Sequence, residues 1–311
     1  SDIIKAVKEL DLSVAAKDFE SRDINLLLSS SVLSGGKRLR PILTYLFGKL
    51  LKLDDAEIRP LARGIELVHA ASLAHDDVID NATRRRGFPS INIQGGNKKA
   101  ILGGDYLLAE VIVELCQFNR PKLVSEMSSV IMDLASGEWL QMHASEKRDY
   151  TFEVIEQIAL KKTASVMQWC AISPFLFLDK STLLVDYARS FGRDLGLSFQ
   201  YIDDALDFNE NSKKDHLIDL ENGIVNSVTY RWLELNPILK EKYLLGEDIN
   251  RLWNGAHLDV AIASTREKAE THLENAYFKL EAIRKELNIE ENNPYLKGIN
   301  WLLDYLSKRG M

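Results

Sequence analysis

The sequence predicts an all-helical fold, and three observations carry that reading. Apolar residues recur at the helical period along almost the whole chain. Gly and Pro are scarce, at 17 and 7 of 311 residues, below their average usage. The prolines also leave gaps at 122–173, 175–236 and 238–293, whereas an all-β sandwich needs frequent turn signals.

Taken in order, the period places helices at 2–18, 22–33, 38–52, 55–80, 98–117, 121–143, 151–170, 181–208, 223–235, 256–287 and 295–308. The first opens as an amphipathic segment, SDIIKAVKELDL. Gly35-Gly36 separates the second helix from the third. The fourth is mostly apolar, with Ile58, Leu61, Ile65, Val68 and Leu73. Arg86-Gly87-Phe88-Pro89 and Gly95-Gly96 punctuate the approach to the fifth. The helix at 151–170 carries Lys161-Lys162-Thr163 ahead of a nearly uncharged run, and 181–208 carries Gly192 and Gly196 on one face. The longest irregular stretches, about 81–97 and 209–222, each follow a cluster of aspartates, and long loops are often functional. With no repeat and no linker, residues 1–311 read as one large helical bundle.

Composition excludes several classes. Hydrophobic residues at 46% and charged residues at 27% are ordinary for a globular protein, not a disordered or collagen-like one. No run of 18 apolar residues exists, so no transmembrane segment is expected. The net charge of −7 argues against wholesale nucleic-acid binding. Cys116 and Cys170 both sit in apolar, helix-like stretches and read as buried thiols without a disulfide. The N-terminal segment lacks an apolar signal core, so a cytoplasmic setting is expected.

Two aspartate clusters carry the chemistry. In HAASLAHDDVID, the residues His69, Ser72, Asp76 and Asp80 stack on one helix face, with Asp77 beside them. Three carboxylates this close repel, and in a partly buried site they need cations or protons. YIDDALD repeats the arrangement: Gly192, Gly196, Gln200, Asp203 or Asp204, and Asp207 share a face. Two acidic stripes on separate apolar helices suggest facing walls of one cavity. Oxygen-only ligands with open positions suit Mg²⁺, which favours a substrate phosphate as partner. Each motif alone could be a solvated helix end; two copies at the ends of long apolar helices argue otherwise. Basic groups lie beside the acids: Gly35-Gly36-Lys37-Arg38-Leu39-Arg40, Arg84-Arg85-Arg86, Lys161-Lys162 and Lys213-Lys214. Acid for metal, base for phosphate and an apolar wall below specify a substrate with a pyrophosphate head and a hydrocarbon body. No P-loop or dinucleotide fingerprint is present to suggest a nucleotide.

HAASLAHDDVIDNATRRRG, YIDDALD and GGKRLRP, in their positions along the chain, resemble the motifs of the trans-isoprenyl diphosphate synthases, the polyprenyl synthetase family. The resemblance implies an all-α isoprenoid synthase fold around a deep central cavity, usually as a homodimer. Its implied substrates are isopentenyl diphosphate and an allylic diphosphate. Asp76, Asp77 and Asp80, with Asp203, Asp204 and Asp207, would form the Mg²⁺ sites. Arg85, Lys162, Thr163, Gln200 and Lys214 would meet the allylic diphosphate. Gly36, Lys37, Arg40, His69 and Arg86 would form the isopentenyl pocket. One departure stands out: Ile224 occupies a place where a diphosphate-binding lysine is common. Ala71, five residues before Asp76, and Ser72 are small, whereas short-chain members often carry a bulky aromatic at the first position. The expected product is therefore long, and so hydrophobic that a membrane surface is expected to receive it. Alternatives are a short-chain synthase, a class I terpene cyclase, and a regulatory subunit of a heteromeric synthase. The acidic second motif and the basic isopentenyl segment argue against the cyclase, and retention of both clusters argues against the regulatory subunit.

Overall fold

The computed structural model describes residues 2–14, 18–208 and 217–309, with Phe19 and Ile218 described by backbone alone. The helices are α1 (Asp2–Lys8), α2 (Phe19–Ser30), α3 (Leu39–Leu50), α4 (Asp55–Ile79), α5 (Ile91–Gly95), α6 (Asn97–Cys116), α7 (Pro121–Lys147), α8 (Phe152–Ala159), α9 (Ser165–Phe177), α10 (Thr182–Leu206), α11 (Ile218–Glu221), α12 (Ser227–Leu235), α13 (Pro237–Leu244), α14 (Ile249–Leu252), α15 (Leu258–Glu286) and α16 (Pro294–Arg309). One turn of π-helix, Leu160–Ala164, joins α8 to α9. Among the described residues the strands amount to one hairpin, β1 (Arg84–Arg85) against β2 (Phe88–Pro89). Its two-residue turn, Arg86-Gly87, has φ of 52° and 83°. Positive φ at both central residues is the requirement of a tight I′ hairpin, and Gly87 meets it without strain.

The chain divides into two compact units. The first comprises Ser1–Ile131 and Trp169–Val185. Its centre is α4, which packs against α6 and α3. Asp54 and Glu57 close a capping box at its start, satisfying orphan donors from both sides. Ile58, Leu61, Ile65 and Val68 are fully buried along it. Gly64 lets α4 pack on Val111 and Met127, and the Trp169 indole donates to Leu61 O at 3.2 Å.

The second unit comprises Met132–Gln168 and Asp186–Met311. Its core gathers Tyr150, Ile155, Phe208, Val228, Trp232 and Tyr243, and α12 packs against α15. A Cβ on Gly196 would lie 2.4 Å from Ala164 Cα, and one on Gly192 would lie 2.5 Å from Gln168 Cα. These two glycines let α10 rest directly on the backbone around the π turn.

Several expectations change. The helix expected at 2–18 stops at Lys8. Asp11 instead accepts from the Ser13 backbone and hydroxyl, and Arg63 donates to the carbonyls of Asp11 and Ser13. Such local side-chain bonds compete with the helix. The helix expected at 223–235 begins at Ser227, because Asn226 and Thr229 form a capping box there. The helix expected at 151–170 runs on to Phe177 through the π turn. The hairpin, α5, α11, α13 and α14 were not anticipated. Cys116 is exposed, not buried; Cys170 is buried, and burial pushes its thiol up to about 12.

The contact beneath Gly196 is backbone, which cannot rotate aside. Gly196→Ala should therefore cost about 1–3 kcal/mol of stability by overpacking, read as a lower denaturant midpoint. A wild-type midpoint would show that α10 does not seat on the π turn.

Candidate active site

The first motif closes α4. His69, Ser72, Asp76 and Asp80 do fall along one face, and the Ser72 hydroxyl donates to His69 O at 2.8 Å. Asp76 is half-buried and the C-cap residue Asp80 is exposed. Asp77 behaves differently: it is fully buried. Its Oδ1 accepts from Arg85 Nε at 2.8 Å and Nη2 at 2.6 Å, and its Oδ2 accepts from Ile91 N at 3.3 Å. Asp77 and Arg85, expected on a metal and on a diphosphate, hold each other in this structure. A buried carboxylate needs such a partner, and the pair ties the hairpin to the end of α4.

The arginines form a basic corner in the same unit. Gly35 and Gly36 take φ of 73° and 87°, and a Cβ on Gly36 would come within 3.2 Å of Arg86 Nη1. Arg86 donates to Ser34 O at 2.8 Å. Arg38 donates to Leu33 O and lies 3.3 Å from buried Glu66. Burial, then Arg40, Arg86, Arg85 and Arg38, hold the His69 imidazole well below its ordinary value, so it is neutral at pH 7. Lys37 is exposed and Arg40 half-buried. A cavity of about 330 Å³ opens beside this corner, lined by Ser34, Gly35, Arg85, Arg86 and Phe88 among others. A neutral imidazole with several guanidiniums is an anion-binding arrangement. Ala71, on the same helix, is fully buried.

The second motif lies at the end of α10. Asp203 and Asp207 are half-buried, and the middle residue Asp204 is buried. Asp204 accepts from Gln200 Nε2 at 2.8 Å, Ser227 N at 3.0 Å and Ser227 Oγ at 2.6 Å. Burial and the charge of Asp219 push Asp204 up to about 6, against these donors. Gln200 also accepts from Thr163 Oγ1 at 2.6 Å. A polar chain therefore runs Thr163–Gln200–Asp204–Ser227 and joins the π turn to α10 and α12.

Three groups escaped the sequence reading. Glu138 and Gln141, on α7, accept from Lys162 Nζ. Arg309, at the end of α16, lies 3.2 Å from Asp203 Oδ1. Lys213 and Lys214 lie outside the described residues. Ile224 is half-buried and donates its N–H to Asp219 O at 2.8 Å.

The donor set bears on metal binding. Among the described residues no three His, Cys, Asp or Glu side chains form a closed cage. In each motif the middle carboxylate is held by protein donors, and in the second motif Asp203 also meets Arg309. Mg²⁺ is usually held by one or two carboxylates, with water and phosphate filling the remainder, and these residues fit that mode.

Residues 22–250 match the sequence model described as "Polyprenyl synthetase". The chain belongs to the polyprenyl synthetase family. It is 31% identical over 277 residues to solanesyl-diphosphate synthase 1, mitochondrial, from Oryza sativa subsp. japonica, covering 80% of this chain and 63% of that protein. The chain spans about half to three-fifths of the length of the curated relatives it matches. A decaprenyl diphosphate synthase from Rhodobacter capsulatus superposes with a TM-score of 0.81 at 23% identity, covering 100% of this chain and 97% of that one. A polyprenyl synthase from Caulobacter crescentus CB15, solved with calcium and isoprenyl diphosphate, gives 0.77 at 23%, covering 99% and 94%. The fold is the all-α isoprenoid synthase fold, and no described helix is long and apolar enough to cross a membrane.

The middle and outer aspartates should separate on substitution. Asp77→Ala strands Arg85 and should cost about 3–5 kcal/mol of stability. Asp76→Asn and Asp80→Asn should stay within about 0.5 kcal/mol while weakening the binding of a divalent cation with pyrophosphate. Thermal melts beside calorimetric titration check this; equal destabilisation by all three would remove the distinction.

Proposed function

We propose that the chain is a trans-polyprenyl diphosphate synthase that condenses isopentenyl diphosphate onto an allylic diphosphate repeatedly, to about C30 or longer, within the C30–C50 range of its relatives. The observation that carries this reading is that two motifs share one build, each with its middle carboxylate turned onto protein donors, and that the unit of the first also holds a basic corner around neutral His69.

In this reading Asp76, Asp80, Asp203 and Asp207 hold Mg²⁺, and Asp77 and Asp204 position their motifs. Bound Mg²⁺ would neutralise charge developing on the departing diphosphate. Lys162, Thr163 and Gln200 contact the allylic diphosphate from the π turn and α10. Gly36, Lys37, Arg40, His69 and Arg86 hold the isopentenyl diphosphate, with His69 as a neutral donor or acceptor that adds no charge to the corner. The allylic carbon–oxygen bond breaks, the isopentenyl double bond attacks the resulting cation, and a proton leaves to the released pyrophosphate. Apolar walls keep water from the cation.

The reading also makes residues 1–311 one domain. It includes a homodimer, a cytoplasmic setting and a membrane surface that takes up the product. Either Lys213 or Lys214 would supply the charge missing at Ile224, or the allylic site is weaker.

The purified chain with labelled isopentenyl diphosphate and an allylic primer should make a long product in Mg²⁺ and none in excess chelator. Absence of incorporation would favour a regulatory subunit, and consumption of the allylic substrate alone would favour a cyclase. Ala71 sits about 7.5 Å along α4 from Asp76, just below the first isoprene units. Ala71→Phe should shorten the product to about C15–C20 at that depth and leave the first condensation intact. An unchanged length on reverse-phase chromatography would show that Ala71 does not line the shaft.

A further inference from the structure

Lys161 and Lys162 are adjacent, yet their side chains grip α7 at separate points. Lys161 Nζ donates to Asp133 Oδ1 at 3.1 Å and Ser136 Oγ at 2.9 Å. Lys162 Nζ donates to Glu138 Oε2 and, at 3.1 Å, to Gln141 Oε1. Gly137 lies between the two anchors: a Cβ there would stand 2.8 Å from both Lys161 Cβ and Lys162 Cγ. The π turn widens the backbone at this point, as π turns often do at functional sites. The two pairs differ in depth. The Lys162 and Glu138 side chains are 27% and 13% exposed, against 31% and 42% for Lys161 and Asp133.

A lysine ammonium has three donors and a flexible stem. Glu138 and Gln141, one turn apart on α7, take two of those donors and fix the stem. The third can serve an incoming oxygen. An ammonium ordered before the ligand arrives does not charge its side-chain entropy against binding.

We propose that Glu138, with Gln141, is a positioning residue that fixes the Lys162 ammonium for the diphosphate. The proposal rests on the reading above that Lys162 contacts the allylic diphosphate, and it adds what makes that lysine competent. Glu138 works through Lys162 and touches no substrate itself. Its carboxylate also supplies a local counter-charge beside that half-buried ammonium.

The test is calorimetric titration of inorganic pyrophosphate in saturating Mg²⁺, with melting curves in parallel. Glu138→Ala should weaken pyrophosphate binding about tenfold, the scale of one charge-assisted hydrogen bond. Glu138→Gln keeps an acceptor in place and should restore most of the affinity. Asp133→Ala, which loosens the neighbouring Lys161 pair, should leave the affinity within about twofold. In a Lys162→Ala background, Glu138→Ala should add nothing, because the two act through one contact. Should Glu138→Ala fail to fold, Gln141→Leu carries the same test with a smaller effect. A lower melting temperature with unchanged affinity would overturn the proposal, as would additive losses or no recovery with Gln. If Lys162→Ala itself left pyrophosphate binding intact, the diphosphate role of Lys162 would fall first, and the proposal with it.

Discussion

The second motif depends on how closely α10 can approach the segment that carries Lys162. Two missing methyl groups set that distance. At Gly192 and Gly196 the nearest atoms are backbone atoms of Gln168 and Ala164, so any side chain would push the helices apart. Only at this separation can Thr163 reach Gln200 at 2.6 Å, and Gln200 then reach Asp204 at 2.8 Å. Gly137 applies the same rule on the other side of the turn, bringing α7 against Lys161 and Lys162. The site in this unit is therefore a consequence of packing: three glycines set the spacing, and the polar groups fill the space that remains.

The first motif reaches a similar end by other means. Asp77 is held by a guanidinium and a backbone N–H from the hairpin and the start of α5, whereas Asp204 is held by an amide, a hydroxyl and a backbone N–H. In both, the middle carboxylate is removed from solvent and satisfied by the protein. That solves an electrostatic problem. Three clustered carboxylates repel, and burying one on protein donors lowers that repulsion within each motif. It also explains the difference in partners. The hairpin brings Arg85 to Asp77, so full charge compensation is available. Asp204 has neutral donors and a second acid, Asp219, nearby, and sits at about 6.

Much of this was legible in the sequence. The long helices α4 and α10 follow the apolar period, and both acidic stripes fall on the faces that the 3.6-residue repeat dictates. The inward turn of Asp77 and Asp204 was not legible, because their partners lie 14 and 23 residues away, at Ile91 and Ser227. Nor was the anchor of Lys162: Glu138 and Gln141 are 24 and 21 residues upstream. Gly137-Glu138 with Gln141 three residues later was the available signal, since that spacing puts both acceptors on one helix face. The short helices α5, α11 and α14 span four or five residues, too few to show a period. For α13, the Pro at its first position is the start signal in the sequence.

The same logic accounts for the neutrality of His69. An imidazole placed among Arg38, Arg40, Arg85 and Arg86 cannot add a further positive charge at neutral pH. Burial, then the charge of Arg85, already lowers the Arg86 guanidinium below its ordinary value, and a lysine or arginine in place of His69 would add to that repulsion. Buried Glu66, 3.3 Å from Arg38, offsets part of that repulsion inside the fold. The corner therefore holds as much positive charge as its own helix can neutralise. Any further compensation would come from an anion, which supports the proposed diphosphate pocket at this cluster.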